Sequence, residues 1–389
     1  MRSGFRGASL RSLTVAALMT AALAPAQKWK IQYFYDENRN TFFIEDLSFP
    51  SAKRGIAVGT VRDELGQSGK EKYIALVTSD GGEHWTTEPL KDHPRSLFFL
   101  NESSGWMVGD NSIWFTDEAG HNWRKIGNQK KPDKKLGPAP PGGVITRLWF
   151  LDDKHGFAIG LQKTVLETHD GGATWTAVAE AGKPSSNPGH TAYSEIAFDG
   201  PKVGVIIGGS VPPRIDDPKL PTWMEPERAI RRRQVPTLKL ELETKDSGAT
   251  WGSSTAPLFG DITALKLSGV TGLAVFGFSE SFEWPSEVYR LDLTTGKNTL
   301  SFHAKDRRVF DCALFPGPRA YLAAVEPPGK LNTVPIPGKV KILTSSNLTD
   351  WTEMDVDYKA NARSLVLAGP DADNQWAATD TGMILHLVK

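Results

Sequence analysis

One eight-residue turn recurs along this chain and constrains its fold more than any other feature. It is complete at Thr168–Trp175 (THDGGATW) and recurs at Thr78–Trp85 (TSDGGEHW) and Thr244–Trp251 (TKDSGATW), with worn copies at Thr116–Trp123 (TDEAGHNW) and Thr344–Trp351 (TSSNLTDW). In such a turn a hydroxyl and a carboxylate bond the turn's own backbone N–H groups, glycine supplies a positive φ, and tryptophan packs the strand that follows. Asp80, Asp170 and Asp246 are therefore read as scaffold; their spacing is not that of an EF-hand, and each carboxylate is better used inside its own turn. Five copies in register make this a repeat protein.

A second element precedes each turn: an apolar strand, then another that usually ends at glycine. Its copies begin near residues 44, 95, 145, 194, 262, 309 and 363. Most start-to-start intervals are about 50 residues, with one near 70, which fits four-stranded propeller blades. The expectation is an all-β, seven-bladed β-propeller of four-stranded antiparallel blades, one domain over residues 27–389, with an insertion at 210–237. The last blade supplies only three strands before the chain stops, whereas Lys28–Phe34 reads as a strand with Trp29 in the turn tryptophan's role. Pairing this N-terminal strand with the C-terminal blade would close the ring and remove open edges.

Residues 1–26 read as a signal peptide: Arg2, Arg6 and Arg11, an apolar run from Leu13 to Leu23, and Ala24-Pro25-Ala26 as a cleavage site. The mature protein is thus expected to be exported, periplasmic or secreted, with no membrane span. Without those three arginines the chain carries 42 basic against 45 acidic side chains. Such a balance offers no field for nucleic acid. The single cysteine, Cys312, falls in an expected inner strand and reads as a buried small hydrophobe.

Loop lengths divide the two faces of the ring. A–B and C–D connections are short, whereas the long connections fall among the B–C and D–A loops on the opposite face. That elaborated face is the candidate binding surface. Its longest insertion carries Trp223, Met224, Arg228, Arg231, Arg232 and Arg233. An apolar anchor beside bidentate-capable cations has the composition of an interface hot spot, and a solvated loop is the alternative. Lys130, Lys131, Lys134 and Lys135 form a second basic loop on this face. Strand A should line the channel and present Asp46, Ser96, Arg147, Glu195, Ala264, Asp311 and Ser364, with Arg95 and Arg363 one step earlier. These charges read either as mutually neutralising ion pairs or as the acid, base and anion clamp of a glycosidase.

The repeats resemble the Asp-box, or bacterial neuraminidase repeat, propellers, and among them the photosystem II stability/assembly factor family. The resemblance covers the mature chain. It implies a non-enzymatic scaffold that holds a protein partner, such as a membrane complex under assembly, with no cofactor or metal; a monomer is expected. Blade five departs most, since Arg290–Lys297 has neither the aspartate spacing nor the tryptophan. Sialidases and xyloglucanases share such Asp boxes, so a glycoside hydrolase stays open, with Tyr193 and Glu195 as a nucleophile pair. A Phe/Tyr-Arg-Ile-Pro signature is absent, and seven blades exceed the sialidase six.

Overall fold

The computed structural model describes residues 27–37, 40–63, 71–136, 143–212, 236–278, 284–327 and 336–389; the signal-peptide reading of 1–26 lies outside them. Seven antiparallel sheets, each meandering from an inner strand A to an outer strand D, form a seven-bladed β-propeller. Blade one comprises Asn40–Ser48, Gly55–Asp63, Lys72–Thr78 and Thr86–Pro89. Blade two is Pro94–Phe99, Gly105–Gly109, Ser112–Thr116 and Arg124–Asn128, and blade three is Ile145–Phe150, Gly156–Gly160, Val165–Thr168 and Thr176–Ala177. Blade four holds Thr191–Asp199, Val203–Ser210, Thr237–Thr244 and Gly252–Leu258; blade five holds Asp261–Ser268, Thr271–Gly277, Ser286–Asp292 and Lys297–His303. Arg308–Phe315, Arg319–Val325, Gly338–Ser345 and Thr352–Glu353 build blade six.

Blade seven takes Leu365–Asp371, Asn374–Thr379 and Met383–Val388 from the C-terminus and Lys28–Phe34 from the N-terminus. The two ends pair antiparallel, Trp29 opposite Leu387 and Ile31 opposite Leu385. A further short strand, Asp355–Val356, runs parallel to the outer side of Lys28–Phe34. The ring is thus latched by the expected C-terminal pairing and by a segment leaving blade six.

Burial grades outward through each blade. Strand B lies between neighbouring sheets, so Gly105–Gly109 and Gly156–Gly160 are buried throughout, which explains their unbroken apolar character. The outer strand Gly252–Leu258 is mostly exposed. Hydrophobic clusters sit between blades, as where Phe49 stacks on Trp376 at 3.7 Å between ring centroids and Phe150 on Trp106 at 3.7 Å.

The Asp-box turns work as local hydrogen-bond cages. Thr168 Oγ1 donates to Asp170 Oδ1 at 2.8 Å and accepts from Gly172 N at 3.0 Å; Asp170 also accepts from Thr174 N and Oγ1. Gly171 and Gly172 hold φ of 75° and 94°, a region closed to most side chains. The Thr174 bonds hold the Asp170 carboxyl down to about 2. In blade six, Asn347 takes the missing aspartate's part, its Oδ1 accepting from Thr349 N and Asp350 N.

A regularity absent from the repeat pattern is a β-bulge in strand A of blades one to six, where pairing skips Glu45, Arg95, Thr146, Ser194, Thr263 and Phe310. The skipped residue resets the side-chain alternation, so residues on both sides of it keep their places in the channel and the blade core.

Candidate functional site

Inner strands from all seven blades enclose an axial channel with a cavity of about 450 Å³, lined by residues including Asp46, Arg95, Arg147, Glu195, Lys266 and Asp311. Two of its carboxylates serve as staples between blades. Asp46 accepts from Leu47 N through Oδ1 and from Leu97 N of blade two through Oδ2, both at 2.8 Å. Asp311 repeats this geometry, accepting from Cys312 N and from Leu367 N of blade seven, both at 2.8 Å. Ser96 Oγ and Arg147 Nε continue the series by donating to Thr146 O at 2.9 Å and Ser194 O at 3.0 Å in the next blade. Burial raises the Asp46 carboxyl, against the pull of Arg147 and of both amides.

Glu195 has a different environment. Its Oε1 lies 3.3 Å from Arg147 Nη2; the glutamate side chain is 10% exposed and the arginine 44%, so the cation meets channel water while the anion is shielded. Burial pushes the Glu195 carboxyl up to about 7, against the opposing charges of Arg147 and Lys266. Lys266 Nζ stands 4.0 Å from Asp311 Oδ1 and is raised by that charge. The channel therefore alternates anions with cations. Sequence reasoning missed Lys266; it lies two residues beyond Ala264 on the same strand face, where period-two reading would have found it.

Arg95 and Arg363 are ion-paired at the loop-rich end. Arg95 Nε donates to Asp110 Oδ1, and Arg363 Nε donates to Asp380 Oδ2 at 2.8 Å. The structure places Arg363 outside the channel lining and over the Phe43 ring at 5.5 Å. Ser364 is displaced from its expected ring position for the same reason. Pairing of Trp376 with Ala368, like that of Trp106 with Phe98, puts Val366 where blade two has Ser96. The shared Arg-Ser-Leu start of the two blades is thus offset by two residues. Beside Arg95, His93 lies 3.6 Å from both Glu45 and Asp110, and its ring meets Tyr73 edge-on at 5.2 Å. Sequence reasoning missed this mouth cluster, although aspartate after strand B in both blades was its signal.

The other candidates fall elsewhere. Tyr193 is fully buried and its hydroxyl donates to Ala181 O at 2.9 Å, on the opposite side of the bulge from Glu195; the two form no pair. Trp223, Met224, Arg228, Arg231, Arg232 and Arg233 lie outside the described residues. In the second basic loop, Lys134 and Lys135 sit on the short 3-10 turn Lys134–Leu136, and Lys131 Nζ donates to Asn111 Oδ1 at 3.0 Å. Among the described residues, His155, Glu167 and His169 bring three donor atoms within 4.8 Å of one another at the plain-face edge of blade three, a nitrogen-and-carboxylate set of the kind zinc takes. Glu167 Oε1 there bridges the imidazoles at 2.8 and 3.4 Å.

No protein-family profile matches the sequence, and no curated protein matches it. Solved structures do. YCF48 bound to D1 peptide superposes with a TM-score of 0.55 at 15% identity, over 92% of this chain and 99% of that one. The chain has the propeller fold of YCF48. YCF48 from Cyanidioschyzon merolae gives 0.53 at 14%, covering 92% and 98%. The β-propeller domain of the Trilobed protease from Pyrococcus furiosus gives 0.51 at 13%, covering 88% and 94%. The YCF48 likeness spans nearly all of both chains, so the elaborated loops decorate one common ring. Shared architecture at this identity fixes the fold, and function is argued from the site.

Proposed function

We propose that this protein is an exported, non-enzymatic scaffold that holds a protein partner on its loop-rich face, in the manner of photosystem II assembly factors. The carrying observation is how the channel carboxylates are used. Asp46 and Asp311 each accept one backbone N–H within their own strand and one from the neighbouring blade, so both carboxylates are built into the blade junctions as scaffold. Of the other carboxylates lining the cavity, Glu195 is paired with Arg147 and Glu45 lies 3.6 Å from His93, on different blades and each beside a basic side chain, which supports ion pairing as their role. Burial is the largest cause of the raised proton affinity of Glu195, with smaller contributions from the Asp311 and Asp46 charges.

Partner binding is supported by the YCF48 structure bound to D1 peptide and by the asymmetry of the faces. A–B connections run from two residues at 269–270 to six at 49–54, whereas the B–C connection at 211–236 is the longest in the ring. The arginines of that insertion would grip acidic groups of a membrane complex during its assembly. The test is affinity capture from detergent-solubilised envelope with the mature protein and with a variant carrying Arg228, Arg231, Arg232 and Arg233 as Glu. The expected result is a discrete membrane protein retained by the first and lost by the second. Identical captures by both baits would overturn the assigned role of the insertion.

A further inference from the structure

Where a blade has a turn tryptophan, the indole does more than end its own hairpin: it fills the junction with the preceding blade. Trp85 meets Tyr33 of blade seven at 5.9 Å, Trp123 packs against the apolar cluster that holds Ile56, Val58 and Val77 of blade one, and Trp175 against the cluster that holds Trp106, Val108 and Ile113 of blade two. Trp251 meets Phe157 of blade three edge-on, with ring centroids 5.5 Å apart. Trp351 Nε1 donates to Ser301 Oγ of blade five at 3.1 Å, and Trp29 Nε1 to Met354 Sδ after blade six at 3.4 Å. Six junctions thus contain an indole. Among the described residues, the seventh, between blades four and five, does not.

Strand pairing identifies the place it would occupy. In blade three, Thr168 and Trp175 bracket the turn, with Thr168 opposite Gly156 of strand B. In blade five, Leu291 stands opposite Gly272 and pairs with Asn298. Asn298 therefore occupies the tryptophan's position. Where the indole is missing lies a cavity of about 600 Å³, walled by Tyr289 and Leu291 of blade five and by Ser254, Ala256 and Leu258 of blade four, with Asn298 at its edge. Leu258 is 40% exposed there, an apolar wall left open. The volume lies within the range of ligand pockets.

We propose that this cavity is a binding site for the tryptophan side chain of a partner peptide, which restores from outside the indole that blade five lacks. The polar groups match. Ser301, which accepts the Trp351 indole N–H, donates its own proton to Leu348 O at 2.6 Å. Ser254 stands three residues after Trp251 as Ser301 stands three after Asn298, and its hydroxyl donates to Glu241 Oε2 at 2.9 Å. Its lone pairs remain to accept an incoming indole N–H, which phenylalanine cannot donate. The cavity runs from Asn298 to Leu258, Phe259 and Phe278 at the loop-rich end, and the indole site proposed here, beside Ser254 and Asn298, stands whether or not the arginine-bearing insertion holds a partner.

The test uses ¹⁹F NMR with the full mature chain and acetyl-Gly-(5-fluoro-Trp)-Gly-amide, with a fluorophenylalanine counterpart. Wild type should bind the tryptophan peptide saturably. Asn298→Trp, which fills the cavity from within, should weaken it by at least about tenfold while the melting temperature stays or rises. Ser254→Ala should weaken the tryptophan peptide by about two- to tenfold, the worth of one hydrogen bond, and leave the phenylalanine peptide unchanged. No saturable binding by wild type, or equal binding by folded Asn298→Trp, would overturn the proposal. Self-association abolished by Asn298→Trp, without peptide binding, would overturn it in favour of a second copy of this chain.

Discussion

The indole of Trp376, in strand B of blade seven, donates to the carbonyl of Gly81, in the Asp-box turn of blade one, at 3.2 Å. Trp106 of blade two makes the equivalent bond to Gly171 of blade three at 3.0 Å. Each tryptophan also stacks on the phenylalanine that ends the next blade's strand A or lies just beyond it, Phe49 or Phe150. One side chain therefore locks a blade to its neighbour's inner strand and outer turn together. Trp376→Phe removes the donor and one ring of the indole while keeping the stack on Phe49, and should cost about 1–3 kcal/mol in equilibrium unfolding. Trp376→Ala also empties the junction and should cost about 3–5 kcal/mol.

Asp46 and Asp311 each satisfy two backbone donors, one of them in the next blade. Replacing either by alanine should destabilise the ring by about 2 kcal/mol in denaturant titrations, since buried N–H groups are left without acceptors. Both variants should leave partner capture by the folded protein unchanged.

Glu195 supplies a pH signature. Its folded carboxyl is raised to about 7, above its ordinary unfolded value, so the folded state binds the extra proton. The resulting stability is fully present below the unfolded value and is lost as pH rises through about 7. Melting temperature should therefore fall from pH 4.5 to pH 8 more steeply in wild type than in Glu195→Gln. Parallel pH profiles for the two proteins would contradict this origin.

The ring, its blade number and its closure were legible because each rests on a local, repeated signal: the turn residues, the strand-ending glycines and the strand split between termini. The inner register was legible in blades one to six because the bulge recurs at the same place. It failed in blade seven, where Arg363-Ser364-Leu365 imitates Arg95-Ser96-Leu97 but Trp376 sets the pairing two residues further on. The pairing of Arg147 with Glu195 across blades three and four follows from their common register, whereas Lys266 with Asp311 was missed with Lys266 itself. The blade-five cavity was half legible: the absent tryptophan was plain, but its consequence at the neighbouring junction needed the packing of the other six.

Cys312 is fully buried, with Sγ facing Leu273 O, and burial pushes its thiol well above the ordinary range. Only thiolate reacts readily with disulfide reagents. Native protein should show negligible thiol reaction with Ellman's reagent, and a single thiol should appear on denaturation. Rapid native labelling would show that blades five and six open locally.

The central claim is that one face of the ring holds a protein partner. Face-resolved photo-crosslinking tests it most directly, with a photoreactive residue placed in separate variants at Val211 or Lys130 on the loop-rich face and at His84 or Thr174 on the plain face, all four exposed. The expected result is one discrete protein adduct from Val211 or Lys130 in envelope extracts and none from His84 or Thr174. Adducts of equal yield from both faces, or none from either, would contradict the account.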